Sequence, residues 1–95
     1  MSFDWDDAKA ASNETKHGVT FAEAASIFED PLSLTIRDMQ HSEDEERWII
    51  LGQSSRGRLL VVVHTERGDT LRIISARLAT RQEIRNYERQ HNGFS

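Results

Sequence analysis

Apolar positions change their period along the chain, and each change marks an element. Phe3 and Trp5 alternate with polar neighbours, a short extended start. Asp6 then caps a helix predicted to run to about residue 17. Asp6 and Asp7 suit its positive end, Lys16 and His17 its negative end, and Gly18 supplies a left-handed stop. Thr20 and Glu23 have capping-box spacing. Phe21, Ala24, Ala25 and Phe28 follow at i, i+3, i+4 and i+7, an apolar helix face that ends at Asp30-Pro31.

From residue 32 the period drops to two. Leu32, Leu34 and Ile36 alternate with Ser33, Thr35 and Arg37, a half-buried strand, and residues 38–46 form a polar, acidic loop. Strands follow over 48–51, 59–63 and 71–77, separated by turns at 54–57 and 67–70. The continuous apolar run at 59–63 reads as a central strand covered on both faces. Gly68 and Asp69 can both take the positive φ of a tight hairpin turn. Thr80 and Glu83 open a last helix with Ile84, Tyr87 and His91 on one side. Arg81, Arg85 and Arg89, at i, i+4 and i+8, form a basic stripe on it. The expected fold is α+β: a small antiparallel sheet of about four strands, packed with two N-terminal helices and one C-terminal helix. Residues 1–95 read as one domain whose tail, 88–95, is expected to fray.

Composition narrows the function classes. The chain has no cysteine, so disulfides, thiolate nucleophiles and cysteine-based zinc sites are excluded. No apolar run approaches the roughly 18 residues of a membrane span, and the acidic start lacks the pattern of a signal peptide, so cytoplasm is the expected address. Residues 1–46 carry three basic groups against twelve acidic ones, whereas residues 47–95 carry nine arginines against four acids. The split suggests an acidic segment and a basic surface with different partners. All-arginine usage in the second half favours bidentate grip on phosphate or carboxylate, although arginines that only solvate a sheet and a helix have the same composition.

Candidate chemistry concentrates at the last hairpin. With two or four loop residues at Gly68-Asp69, Glu66 opposes Leu71, Thr65 opposes Arg72 and His64 opposes Ile73. Arg67, Thr65 and Arg72 then share one face, and His64, Glu66, Ser75 and Arg77 the other. A one-residue slip would exchange them. Arginines beside a proton carrier suit cleavage of an RNA phosphodiester. A base takes the proton of the ribose 2′-hydroxyl, arginines hold the phosphate and stabilise its added charge, and no metal or other cofactor is required. Glu66, His64 and His17 are the candidate proton carriers. The same spacing also fits cross-strand Arg–Glu pairing, which is commoner than catalysis. Lys16-His17-Gly18 likewise matches an ordinary helix C-cap. Trp5 and Trp48 fit core packing better than base stacking. Asp38, Glu43, Asp44, Glu45 and Glu46 lack the spacing of a calcium loop, and His17, His41, His64 and His91 that of a zinc site.

These residues form a recognisable series: Phe3, Trp5, Asp6 and Lys9; Asn13, Lys16-His17-Gly18-Val19 and Phe21; Ala24, Phe28 and Asp30-Pro31; Glu45-Glu46-Arg47, Gly57-Arg58, Val62 and Thr65; then Arg72-Ile73-Ile74-Ser75-Ala76-Arg77, Ala79-Thr80-Arg81, Glu83, Arg85 and Tyr87. The series closely resembles the BrnT family of bacterial toxins. That resemblance implies a fold similar to the RelE ribonucleases and an endoribonuclease that halts translation as the toxin of a type II toxin–antitoxin pair. It implies a BrnA-like antitoxin as partner, whose DNA-binding part would carry the complex to its operator, with RNA as substrate. By matching positions, it implies His17, Glu66, Arg67 and Arg77 as catalytic residues and Lys16, Arg72, Arg81 and Tyr87 as substrate-binding ones. Two other readings have the chain as a non-catalytic antitoxin-binding module or a stand-alone RNA-binding domain. The last is the weaker, because aromatics are only 7% of residues.

Overall fold

The computed structural model describes residues 1–40 and 45–92. Of the acidic loop, residues 41–44 (which include His41, Glu43 and Asp44) lie outside the described residues, as do 93–95 of the tail. The elements are β1 (Ser2–Asp4), α1 (Asp7–His17), α2 (Phe21–Ser26) with a 3-10 turn (Ile27–Glu29), β2 (Leu34–Arg37), β3 (Arg47–Gln53), β4 (Leu59–Arg67), β5 (Thr70–Leu78) and α3 (Arg81–Asn92). The third helix therefore continues through the first residues of the segment expected to fray.

The sheet has five strands in the order β1-β5-β4-β3-β2. It is mixed rather than purely antiparallel, because β1 pairs parallel with β5 through Ser2↔Thr70, Phe3↔Leu71 and Asp4↔Arg72. A parallel pair needs a long crossover, and the rest of the chain supplies it. The apolar strand β4 lies at the centre of the sheet, as its unbroken hydrophobic run predicts.

The caps behave as the sequence indicates. Asp6 accepts the Lys9 N–H at 3.0 Å, and Gly18 takes φ 69° while its N–H returns to Glu14 O. Thr20 caps α2 by accepting the Glu23 N–H at 3.0 Å. The Glu23 carboxylate, however, turns away to the β3–β4 turn. There it meets Arg58 with two guanidinium nitrogens, accepts the Ser54 hydroxyl at 2.7 Å and lies 3.7 Å from Arg56. Glu23 is only 6% exposed, and the Arg58 hydrogen bonds hold its pKa below the ordinary carboxylate range despite burial.

Helices α1 and α2 cover one face of the sheet. Val19, Phe21, Ala24 and Ile27 pack there on Ile50, Leu60, Val62, Ile73 and Ala76, with Phe3, Trp5, Ala10, Ala25 and Phe28 at the margin. Trp5 meets Phe21 edge-on at 6.0 Å, which confirms it as a packing residue. Helix α1 itself is polar, and its one buried residue is Asn13. The Asn13 carboxamide donates to Val19 O at 3.0 Å and Ala76 O at 2.8 Å, and accepts from the Ala76 N–H at 3.1 Å. It satisfies both polar groups of Ala76 on the stretch of β5 that β1 does not reach.

Asn13→Ala leaves those backbone groups without partners. It is expected to lower unfolding free energy by about 2–3 kcal/mol, read as a lower urea midpoint at unchanged slope. Asn13→Asp should be no better, because it sets a carboxylate against two carbonyl oxygens.

Candidate active site

The register of the last hairpin fixes where its charged side chains point. Arg67 pairs with Thr70, so the loop is the two residues Gly68-Asp69, and His64↔Ile73, Thr65↔Arg72 and Glu66↔Leu71 follow as expected. Of the two loop residues only Gly68 has positive φ (62°), as in a turn that places glycine first. Further along, Val63 pairs with Ser75 and Val61 with Arg77, which leaves Ile74 as an extra residue. This β-bulge reverses the alternation beyond it. Ser75 and Arg77 therefore leave the face of His64 and Glu66, where strict alternation puts them, and join Thr65, Arg67 and Arg72. Three arginines thus share one face.

They do not converge on a point. Arg72 and Arg77 are separated along β5 by roughly 16 Å of strand rise. Each arginine is held by a carboxylate. Arg67 binds Glu45 at 2.9 and 3.2 Å, and Arg72 binds Asp4 at 2.6 Å. Arg77 grips Glu83 with two hydrogen bonds, at 2.8 and 2.9 Å. Glu83 also accepts the Thr80 N–H at 2.7 Å, which closes the capping box that starts α3. Arg77 and these donors hold its pKa at about 2.

A different basic group lies on α1. On α1, Lys9, Ser12, Asn13 and Lys16 recur at helical spacing and face the outer edge of β5. Together with His17, Ile74 and Ser75 they line an open groove of about 230 Å³. The groove exists because β1 stops opposite Arg72, the bulge pushes Ile74 outward, and Asn13 draws the helix onto the exposed edge. Among the described residues Lys9, Lys16 and His17 make no ion pair. Ser75 belongs both to this groove and to the arginine face, so the two adjoin.

The remaining predicted residues lie apart. Glu66 is exposed at the hairpin tip, lining a hollow with Met1, Gly68, Asp69 and Leu71 on the face opposite the arginines. His64 is 3% exposed, edge-on to Phe28 at 4.9 Å, and burial pushes its pKa down. It is a neutral core residue. Tyr87 is 9% exposed and donates to Asp30 at 2.7 Å. It therefore anchors α3 instead of facing the groove. Burial, and then that contact, raise its pKa to about 12. Arg81 is exposed at the start of α3 and, among the described residues, has no acidic partner. Periodicity assigns no site role to Lys9 or Ser12, although their i, i+3 spacing with Lys16 one turn further on was a usable signal.

An α+β fold that sets a lysine-lined groove beside a row of arginines gives an arrangement that can hold an anion. Comparison with known proteins gives the family. The profile described as "Ribonuclease toxin, BrnT, of type II toxin-antitoxin system" matches residues 5–83, and the chain belongs to that family. Type II membership implies a protein antitoxin as partner. The fold is similar to the 1.1 Å crystal structure of the Brucella abortus ribonuclease toxin, BrnT, with a TM-score of 0.66 and 23% identity, over 85% of this chain and 99% of that one. No curated protein matches the chain. No helix among the described residues is long and apolar enough to cross a membrane.

The Glu83 carboxylate, held at about 2 against an ordinary 4.5, makes an acid limb testable. Its contribution to stability is present above about pH 4.5 and fades as pH falls toward 2. Thermal unfolding of Glu83→Gln and the unsubstituted protein should differ most at neutral pH and converge by about pH 2.

Proposed function

We propose that this protein cleaves RNA without a metal ion and that cleavage takes place in the groove between α1 and β5. His17 takes the proton of the ribose 2′-hydroxyl, and that oxygen attacks the adjacent phosphorus. The bond to the 5′-oxygen breaks, leaving a 2′,3′-cyclic phosphate, and the departing oxygen takes a proton from a neighbouring acid, for which Lys16 is the candidate. Lys9 and Lys16 hold the phosphate. Arg77, and beyond it Arg72, bind the flanking strand, a phosphate taking the place of the carboxylate on each guanidinium. Arg67 and Arg81 extend the basic surface. A groove lined by lysines repels a divalent cation and attracts a phosphate, which supports a reaction without metal.

The observation that carries this reading is the cluster of Lys9, Lys16 and His17, which make no ion pair among the described residues, in a chain whose hairpin arginines are all paired. Glu66 drops out as base because it lies at the hairpin tip, in the hollow with Met1, Gly68, Asp69 and Leu71 and outside this groove. The antitoxin, a BrnA-like protein in this reading, neutralises the toxin and brings the complex to operator DNA. The toxin contributes no DNA contact of its own, consistent with a net charge of −4 and a pI near 5.5.

The pairing of Arg67, Arg72 and Arg77 favours a second reading, a module that binds antitoxin and cleaves nothing. Purified protein incubated with RNA in EDTA separates the two. Cleavage is expected, with His17→Ala slowing it by about 10²–10⁴-fold and Lys16→Ala and Arg77→Ala by less. Intact cleavage by a folded His17→Ala protein puts the site elsewhere. Antitoxin binding with no cleavage by the unsubstituted protein establishes the second reading.

A further inference from the structure

Exposed apolar residues gather along one edge of the sheet. Among the described residues, the large hydrophobic side chains left exposed are Met1, Leu32, Ile36, Met39 and Leu78. Leu32, Ile36 and Met39 bracket or lie in β2, and Ile36 is 63% exposed in the middle of the strand. Among the described residues β2 is an edge strand that pairs only with β3, and no strand covers its other side. Natural edge strands are usually blunted by an inward charge, a proline or a bulge. Residues 34–37 (Leu-Thr-Ile-Arg) carry only Arg37, which pairs with Glu46.

The face beside this edge is apolar as well. The register puts Leu34 and Ile36 on the same side as Leu51 and Ile49, and these on the side of Val61 and Val63. α3 covers only part of that face. A groove of about 230 Å³ remains, lined by Leu34, Ile36, Ile49, Leu51 and Val61 on the sheet and by Glu83 and Asn86 on α3. An exposed acid stands at either end of the edge: Glu29 precedes β2, and Glu46, 3.4 Å from Arg37, follows it.

We propose that the antitoxin adds a strand to the free edge of β2. Its alternate apolar side chains continue the face of Leu34 and Ile36 into the groove, and basic residues flank the strand to meet the acids at either end. Backbone hydrogen bonds to the edge supply register, and the groove supplies selectivity for side chains. This assignment rests on the partner that type II membership implies and deepens the neutralising role proposed above. It places the antitoxin on β2, apart from the α1–β5 groove at the opposite side of the sheet.

The test uses the full-length chain and the antitoxin encoded with it, with affinity measured by calorimetry and RNA cleavage measured without antitoxin. Ile36→Glu alters an exposed side chain and should leave cleavage unchanged while weakening antitoxin binding by about 10–100-fold. Leu78→Lys, at an exposed apolar position away from β2, should leave both unchanged. Equal antitoxin affinity for Ile36→Glu and the unsubstituted protein overturns the docking assignment and leaves the antitoxin partnership standing. Equal weakening by Leu78→Lys overturns it too. No antitoxin binding by the unsubstituted protein overturns the assignment and the neutralisation reading together. Hydrogen exchange of the complex adds an independent readout: protection of residues 34–37 is expected, and protection confined to α1 and residues 74–76 refutes the proposal.

Discussion

One side-chain amide joins the two halves of the proposed site. Helix α1 has almost no apolar face to bury, and hydrophobic contact alone gives it little reason to lie against the sheet. Asn13 gives it one. Its carboxamide takes both polar groups of Ala76 as a neighbouring strand would, and also closes on Val19 O beyond the helix end. A buried backbone N–H or C=O without a partner costs about 1–3 kcal/mol, so edge and helix hold each other in place. The groove with Lys9, Lys16 and His17 follows from that contact, and so does its position next to Ser75.

Charge in this molecule is arranged by folding the acidic first half onto the arginine-rich second half. Asp4 meets Arg72, Glu23 meets Arg58 and Arg56, and Glu45 meets Arg67. The separate acidic and basic surfaces suggested by composition therefore cancel over much of their extent. Among the described residues, Lys9 and Lys16 on α1 and Arg81 at the start of α3 make no ion pair. A phosphate-bearing strand would meet its least screened positive charge there, because paired guanidinium groups present a dipole and unpaired ammonium groups a full charge.

The third helix is tied down by two polar anchors. Arg77 and Thr80 fix its first turn through Glu83, and Tyr87 fixes its middle through Asp30, whose carboxylate also accepts the N–H groups of Leu32 and Gln53. This second junction holds α3 over one part of the sheet and leaves the face toward β2 open. By sequence resemblance Arg77 is a catalytic residue and Tyr87 a substrate contact. Tyr87 proves to be a structural anchor, and Arg77 carries a structural role whatever its part in chemistry.

What the sequence determined by itself was local. Caps at Asp6, Thr20 and Thr80, the stop at Gly18, the strands and the presence of a hairpin turn at Gly68-Asp69 depend on neighbours within a few positions. The Lys16-His17-Gly18 and Arg72-to-Arg77 runs were enough to indicate the family. Tertiary structure decided what depends on distant partners. The bulge at Ile74 turned Arg77 to the face of Arg67 and Arg72, a change that no alternation rule predicts because an inserted residue inverts every side chain after it. The parallel pairing of β1 depended on a strand some seventy residues away in sequence. Which carboxylate each arginine met, and therefore which cations remained available for an anion, was settled only when the two ends of the chain came together, because an ion pair is specified by separation in space and the sequence records only order.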